Sequence, residues 1–194
     1  MIEELGDLFA GPGAGEYLGE PVTIGVHMRQ AGALAEAAGA PEALVAAALL
    51  HDIGHLHDAG PSGASALADT VDARHGERGA NWLSGWFPDA VTEPVRLHVA
   101  AKRYLCAIEP GYYARLSDES KRTLAVQGGP MSAGDVRRFE RGTFATDAVA
   151  VRRWDDQAKE PSVAPPEFGH FAPLLARLLT ARLTGQNEPG GTAR

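Results

Sequence analysis

The sequence predicts an all-α fold, and three observations support this prediction. Apolar residues recur at helical spacing through most of the chain, as Ile24, Met28, Ala31 and Ala35 illustrate. The alternation of β-branched and polar residues that is typical of strands is almost absent. Glycine and proline separate the periodic segments. We therefore expect one bundle-like helical domain over residues 1–183, followed by a disordered tail.

The first predicted helix covers residues 22–38 and ends where Gly39 precedes Pro41. Pro41 suits the start of the next helix, 41–55, because the fixed φ of proline is already helical and its missing N–H is not needed there. That second helix is apolar on nearly every face, and such helices lie in protein cores. A loop rich in Gly, Pro and Ser follows at residues 60–65.

The later helices are bounded by residues of the same kinds. Gly85 and Pro88 end one helix, and Ser117 is a suitable N-cap for another. The Gly128–Pro130 segment ends that helix, and Pro165 with its neighbouring proline separates the last one. We expect these helices over residues 75–83, 91–106, 118–126, 133–138, 145–159 and 171–183, and the tail over 184–194.

Composition excludes several classes of function. The formal net charge is -7 with a pI near 5.5, which argues against nucleic-acid binding because that requires a basic face. No apolar run is long enough to span a membrane, and the first residues lack the basic region of a signal peptide. The single cysteine, Cys106, cannot form a disulfide within one chain, so we expect a cytoplasmic protein. The oligomeric state is not predicted by these features.

A histidine and an aspartate, His51 and Asp52, follow the apolar stretch directly. An ionised group in an apolar site costs several kcal/mol unless it is compensated, for example by a bound metal ion. Further histidines lie about two dozen residues apart and an aspartate follows later in the chain, one per predicted helix, which is how metal sites in helical bundles are built. The candidate ligands are His27, His51, Asp52, His75, His98 and Asp155.

This set divides naturally between two ions. A carboxylate offers two oxygens, so Asp52 can bridge both ions, with His27, His51 and Asp155 completing one group of ligands. His75 and His98 would join Asp52 in the other group. Histidine and carboxylate ligands suit iron, manganese, zinc or magnesium.

His55 follows His51 by four residues and is expected on the same helix face. It could be a ligand, but we favour a role as a hydrogen-bonding group that contacts a molecule bound to the metal.

The ligand pattern resembles the HD superfamily, whose signature is His…His-Asp…Asp on five core helices. Here these residues are His27, His51-Asp52 and Asp155, and the two additional histidines match a subset of the family that binds a second metal. Most HD proteins are phosphohydrolases, and fewer are diiron oxygenases. The resemblance implies an HD-domain helical bundle with added helices.

Longer segments resemble the PhnZ-type mixed-valence diiron oxygenases, which cleave carbon–phosphorus bonds. The likeness covers roughly residues 17–159, most of the chain. The segments that carry it are Tyr17–Glu20 (Tyr-Leu-Gly-Glu), Ala48–His55 (Ala-Leu-Leu-His-Asp-Ile-Gly-His), His98–Cys106 (His-Val-Ala-Ala-Lys-Arg-Tyr-Leu-Cys), Gln127–Met131 (Gln-Gly-Gly-Pro-Met) and Arg152–Lys159 (Arg-Arg-Trp-Asp-Asp-Gln-Ala-Lys).

The resemblance implies two iron ions in a mixed Fe2+/Fe3+ state, O2 as co-substrate and a 1-hydroxyphosphonate as substrate. Cleavage gives phosphate and a carboxylic acid, which is glycine when the substrate is 2-amino-1-hydroxyethylphosphonate. The resemblance also implies that Tyr17 is a removable iron ligand and that Glu20 recognises the substrate amine. One departure is Val26, where relatives often carry Glu.

A phosphonate dianion requires cations and hydrogen-bond donors. Lys102 follows His98 by four residues, and Arg152 precedes Asp155 by three, so each shares a helix face with a candidate ligand. Either cation alone could lie on a solvated face, but beside metal ligands we favour substrate binding. We expect His55 and Lys102 to act in catalysis. The predicted substrate-binding residues are Tyr17, Glu20, His55, Lys102, Ser120, Thr123, Gln127 and Arg152.

Two other functions compete with the oxygenase. The first is a metal-dependent HD phosphohydrolase that acts on a small phosphoester or a nucleotide. The absence of a nucleotide-binding pattern and the presence of the Gln-Gly-Gly-Pro-Met segment disfavour it. The second is a non-catalytic HD module, which the retention of all six candidate ligands disfavours.

Overall fold

The computed structural model describes residues 1–15, 17, 19–59 and 74–185, and the side chains at 58–59 and 180–185 are excluded from the description. The predicted all-α fold is confirmed, since these residues form helices and no strand. None of the described helices is long and apolar enough to cross a membrane. The helices are α1 (Ile2–Ala10), a 3-10 helix (Pro12–Gly15), α2 (Ile24–Ala37), α3 (Glu42–Leu50), α4 (Ile53–Ala59), α5 (His75–Leu83), α6 (Asp89–Ile108), α7 (Tyr112–Arg115), α8 (Asp118–Val126), α9 (Ala133–Glu140), α10 (Ala145–Gln157) and α11 (Phe168–Gly185).

Helix α3 is the centre of the core. Its residues from Val45 to Leu50 are all buried, as its apolar sequence predicts. Helices α2 and α6 pack against it and also against α10, while α11 contacts it and α1 contacts α11. Side chains from α5, including Leu83, extend the core towards α6. This packing brings the inner faces of α2, α6 and α10 to the C-terminal end of α3.

The prediction of one continuous helix over 41–55 is wrong. The structure has two helices, α3 and α4, with a turn at His51 and Asp52. The His51 Nδ1–H donates to the backbone oxygen of Ala48 at 2.8 Å, and His55 N donates to Asp52 O at 3.0 Å, one residue short of α-helical spacing. The same bond to an i−3 carbonyl is made by His98 within the unbroken helix α6, so this bond alone does not explain the interruption. His55 therefore does not share a helix face with His51, contrary to the prediction from their i, i+4 spacing.

Other helix bounds differ modestly from the prediction. Helix α10 ends at Gln157, so Lys159 lies in the following loop, and Thr184 and Gly185 belong to α11 rather than to a tail. The 60–65 loop and residues 186–194 of the tail lie outside the described residues. Helices α1 and α7 and the 3-10 helix were not predicted, because each is too short for a clear periodic pattern or lacks a strong cap.

Helices α4 and α5 approach closely at two glycines. A Cβ built on Gly54 would lie 2.2 Å from the backbone oxygen of His75, and one on Gly79 would lie 3.0 Å from Gly54 N. A larger residue at position 54 would push the two helices apart, and His75 with them.

We expect Gly54→Ala to destabilise the protein by about 3 kcal/mol, at the upper end of ordinary overpacking costs, because the clash involves backbone. Thermal or urea unfolding measures this loss. Gly169→Ala is the matched control, since nothing lies within 4 Å of a Cβ there. Equal stability of the two variants would contradict the close packing of α4 and α5.

Candidate metal centre and anion pocket

The six candidate ligands predicted from the sequence converge at one end of α3. They come from five different helices or their ends. Four of them are histidines that are each less than 8 % exposed: His27, His51, His75 and His98. Asp155 is also buried, and Asp52 is partly buried. The ligands are contributed by α2 (His27), the α3–α4 turn (His51 and Asp52), the first residue of α5 (His75), α6 (His98) and α10 (Asp155).

One group of candidate ligand atoms surrounds the Oδ2 atom of Asp52. The Nε2 atoms of His27 and His51 lie 3.7 Å and 3.4 Å from this oxygen and 3.1 Å from each other. Asp155 adds its Oδ1 atom, which is 3.3 Å from His27 Nε2 and 4.0 Å from His51 Nε2. Ligand atoms about 2.1 Å from one ion and at right angles lie about 3 Å apart, so these separations suit a single metal ion.

A second group surrounds the other oxygen of the same carboxylate. Asp52 Oδ1 lies 3.2 Å from His75 Nε2 and 3.5 Å from His98 Nε2, and these two nitrogens are 2.9 Å apart. Asp52 is therefore common to both groups and faces each with a different oxygen. This is the arrangement that a bridging carboxylate requires.

Backbone carbonyls set the tautomer of three of these histidines. The Nδ1–H groups of His27, His51 and His98 donate to the oxygens of Ala158, Ala48 and Val95 at 2.7–2.8 Å. The Nε2 atoms of these rings then point into the site, and each group contains two Nε2 atoms within hydrogen-bonding distance of each other. Two imidazole nitrogens this close need a proton or a metal ion between them, and a metal ion can take the place of the proton, so the donor set fits bound metal ions.

The electrostatics of the site agree with that fit. Burial disfavours the charge on Asp155 and Asp52, but Arg152 beside Asp155 and the histidines around both carboxyls hold their pKa values well below the usual range. Burial lowers the pKa of His98 to about 4. Although burial opposes it, Asp52 and Asp155 raise the pKa of His51 to about 9. Asp52 and Asp155 are thus both ionised, and two buried carboxylates are stabilised by nearby cations such as metal ions.

A cavity of about 340 Å³ opens over the two groups. Each predicted site residue lines it except His51, which is fully buried beneath it. The predicted residues on its walls are Tyr17, Glu20, His27, Asp52, His55, His75, His98, Lys102, Ser120, Thr123, Gln127, Arg152 and Asp155.

Two buried cations form one wall of the cavity. Lys102 Nζ donates to Thr123 Oγ1 at 2.8 Å, and Arg152 donates to Ser120 Oγ at 3.3 Å and to Asp155 Oδ2 at 2.7 Å. Burial, and then the neighbouring charge of Arg152, lower the pKa of Lys102 to about 8. This wall can bind an anion that also reaches the metal groups.

A carboxylate and a third cation face the cavity near its mouth. Glu20 Oε1 accepts from Lys159 Nζ at 2.5 Å and from Ser117 Oγ at 2.6 Å. Lys159 was not predicted as a site residue, and neither was Glu119, which also lines the cavity and pairs with Arg122. Lys159 ends the Arg152–Lys159 segment and follows the candidate ligand Asp155 by four residues. That spacing was the sequence feature that could have indicated a site residue.

The remaining predicted residues also reach the cavity. His55 stacks on His75 with ring centroids 4.3 Å apart, although the α3–α4 turn and not a shared helix face places it there. Gln127 is the C-cap of α8. Tyr17 is 64 % exposed at the mouth of the cavity.

The fold and the site define a helical bundle with a buried histidine–carboxylate centre beneath a cation-lined cavity. No protein-family model matches the chain. The chain is 44% identical to a [1-hydroxy-2-(trimethylamino)ethyl]phosphonate dioxygenase (glycine-betaine-forming) from Leisingera caerulea, over 92% of this chain and 90% of that protein. It is 41% identical to a hydroxymethylphosphonate dioxygenase from Gimesia maris, over 80% of this chain and 77% of that protein. An uncharacterised protein of Acanthamoeba polyphaga mimivirus is 30% identical over 87% of this chain and 77% of its own.

The chain therefore belongs to the family of hydroxyphosphonate dioxygenases. It is an oxygenase, and hence an oxidoreductase, as the sequence predicted. The function of this family is the oxidative cleavage of a carbon–phosphorus bond.

Proposed function

We propose that the protein is an HD-type mixed-valence diiron oxygenase that converts 2-amino-1-hydroxyethylphosphonate and O2 to glycine and phosphate. The observation that carries this proposal is that the buried Lys102 and Arg152 line the same cavity as two groups of candidate metal ligands, which share Asp52. The reaction balances, since one oxygen atom of O2 enters the carboxylate and the other enters phosphate.

The cation wall is the proposed phosphonate site. Lys102 and Arg152 supply positive charge, and Ser120, Thr123 and Gln127 line the same cavity with hydroxyl and amide groups. Charge-assisted hydrogen bonds of this kind are about twice as strong as neutral ones. A phosphonate held there keeps its C1 carbon and hydroxyl near the metal groups, and His55 faces the same space.

The iron ions would be held by the two groups of ligands described above. Bound iron supplies redox chemistry with O2, which protein side chains alone do not provide. The carbonyls that accept from the Nδ1–H groups fix the imidazole rings, and Arg152 balances the charge of Asp155 through a 2.7 Å bond.

Glu20 is the proposed partner of the substrate amine. In this structure its carboxylate already holds the primary ammonium of Lys159 at 2.5 Å and accepts from Ser117. A second primary ammonium could use the same oxygens as hydrogen-bond acceptors. A trimethylated amine has no N–H to donate, and hydroxymethylphosphonate has no amine. A primary amine can both pair in charge with Glu20 and donate hydrogen bonds to it, whereas a trimethylated amine offers charge alone, which supports the primary amine as the proposed substrate.

Aerobic turnover of the iron-loaded protein tests the proposal. We expect racemic 2-amino-1-hydroxyethylphosphonate to give phosphate release and O2 uptake in equal amounts, with a higher kcat/KM than hydroxymethylphosphonate or the trimethylated compound. Phosphate release that needs no O2 would instead indicate a hydrolase. A preference for one of the other two phosphonates would refute the amine assignment and keep the oxygenase.

Replacing Glu20 with glutamine should separate these substrates further. We expect kcat/KM for 2-amino-1-hydroxyethylphosphonate to fall by about 10–100-fold, because an ammonium loses a charged partner. For hydroxymethylphosphonate it should change by less than about threefold, within the range of a weak polar contact.

Glu119→Gln is the matched control, because its carboxylate lines the same cavity but pairs with Arg122. Equal losses on both substrates in Glu20→Gln would refute amine recognition by Glu20. A loss specific to the amine in Glu119→Gln alone would transfer that role to Glu119.

A further inference from the structure

A ring of hydrogen bonds behind the cavity wall links Arg152 to Tyr112 and Asp156. Arg152 Nε donates to the Tyr112 hydroxyl at 3.1 Å, and that hydroxyl donates to Asp156 Oδ2 at 2.5 Å. Asp156 closes the ring by accepting from Arg152 Nη2 through its other oxygen. Tyr112 is only 3 % exposed and does not line the cavity.

The directions of these bonds are mutually consistent. A tyrosine hydroxyl has one proton and two lone pairs, so it can donate to Asp156 and accept from Arg152 at the same time. Burial raises the pKa of Tyr112, which keeps the hydroxyl protonated as a donor. The ring therefore fixes the edge of the guanidinium that points away from the metal groups.

The other bonds of Arg152 face the site. Nη1 donates to Asp155 Oδ2 and Nη2 donates to Ser120 Oγ, so the described contacts use four of the five N–H groups of a guanidinium. The fifth N–H, on Nη1, has no acceptor among the described residues, and Arg152 itself lines the cavity. A planar guanidinium held on two edges cannot rotate without breaking several bonds at once.

Asp156 also contributes charge. Arg152 is buried between two carboxylates, Asp155 and Asp156. Because Asp156 takes one side of the guanidinium, Asp155 contacts Arg152 with Oδ2 and keeps Oδ1 towards His27 and His51.

We propose that Tyr112 and Asp156 are positioning residues that orient the Arg152 guanidinium for binding the phosphonate. This inference rests on the proposed function for the identity of the anion. Neither residue touches the substrate, and both act through Arg152. The sequence pattern did not indicate Tyr112, because it lies on a four-residue helix far from Arg152 along the chain.

The substitution Tyr112→Phe tests the inference, because it removes the hydroxyl and keeps the ring. Anaerobic calorimetry of the iron-loaded protein with hydroxymethylphosphonate measures binding without turnover. We expect the Kd to rise about tenfold, as for the loss of one hydrogen bond to a charged group. Tyr113→Phe is the matched control, since Tyr113 is the next residue along the chain and is 52% exposed. Its Kd should equal that of the wild type.

A double-mutant cycle with Arg152→Lys identifies the route of the effect. If Tyr112 acts through Arg152, the double variant should bind no more weakly than Arg152→Lys alone. Additive losses would overturn the inference. So would an unchanged Kd in Tyr112→Phe accompanied by a lower unfolding temperature or lower iron content, which would show a structural role only.

Inorganic phosphate serves as a second probe that does not depend on the reaction. If the wild type fails to turn over any hydroxyphosphonate, the proposed function fails, and phosphate affinity still decides the inference. Weaker phosphate binding by Tyr112→Phe than by Tyr113→Phe supports the positioning role, and equal binding contradicts it.

Discussion

Replacing Asp52 with alanine is expected to release iron from both groups of ligands. Its two oxygens face different histidine pairs, His27 with His51 and His75 with His98, at 3.2–3.7 Å. Changing a residue that merely supports a ligand costs 10–100-fold in metal affinity, and a shared ligand should cost more at each ion. We therefore expect less than about a tenth of the wild-type iron and a loss of activity beyond about 1000-fold.

Iron content measured by elemental analysis, together with Mössbauer spectra of the reconstituted protein, checks this prediction. Asp118→Ala is the control, since that carboxylate is fully exposed. His98→Ala provides a further comparison, because His98 belongs to one group only and its loss should spare the His27–His51 group. Full retention of iron by Asp52→Ala would refute the shared-ligand assignment. Loss of iron from one group alone would show that Asp52 does not bridge.

The convergence of the candidate ligands was predictable because each of the helices concerned carries an imidazole or a carboxylate, which is unusual in a core. An imidazole such as His27 or His98 on an apolar helix face stands out from its neighbours, and regular spacing along the chain suggested that the helices converge. The all-α fold was predictable for a different reason, namely the strong helical period of the apolar residues. Convergence of these side chains within hydrogen-bonding distance in the structure follows from the packing of α2, α6 and α10 around α3.

Features that depend on long-range contacts were not predictable from local patterns. The turn at His51 and Asp52 is followed by Gly54, which lies against the backbone of His75 at the start of α5. The pairing of Lys159 with Glu20 joins residues 139 positions apart. Tyr112 reaches Arg152 from a helix too short to show a period. In each case the sequence supplied the residue, but only the tertiary packing supplied its partner.

Replacing Lys102 with methionine should cause the second large effect. Methionine fills a similar volume but has no charge, so the cavity wall loses one of its two buried cations and Thr123 loses its donor. Loss of a charged donor at an active site costs about 100–1000-fold in rate. We expect kcat/KM for hydroxyphosphonates to fall by that amount. Iron content should stay unchanged, because Lys102 Nζ donates hydrogen bonds to Ser120 and Thr123 and not to a candidate metal ligand.

The pH dependence of kcat/KM provides a sharper test of the same residue, because it reports the ionisation of the free enzyme. Burial lowers the pKa of Lys102 to about 8, so the lysine loses its charge as the pH rises through that value. Phosphonate binding requires the charged form, and kcat/KM should therefore fall at alkaline pH. Lys102→Arg is the control, because a guanidinium stays protonated throughout this range and should remove the decline. The substrate titrates identically in both measurements, so the ratio of the two profiles isolates the lysine. Parallel profiles for the wild type and Lys102→Arg would show that Lys102 does not bind the phosphonate as a cation.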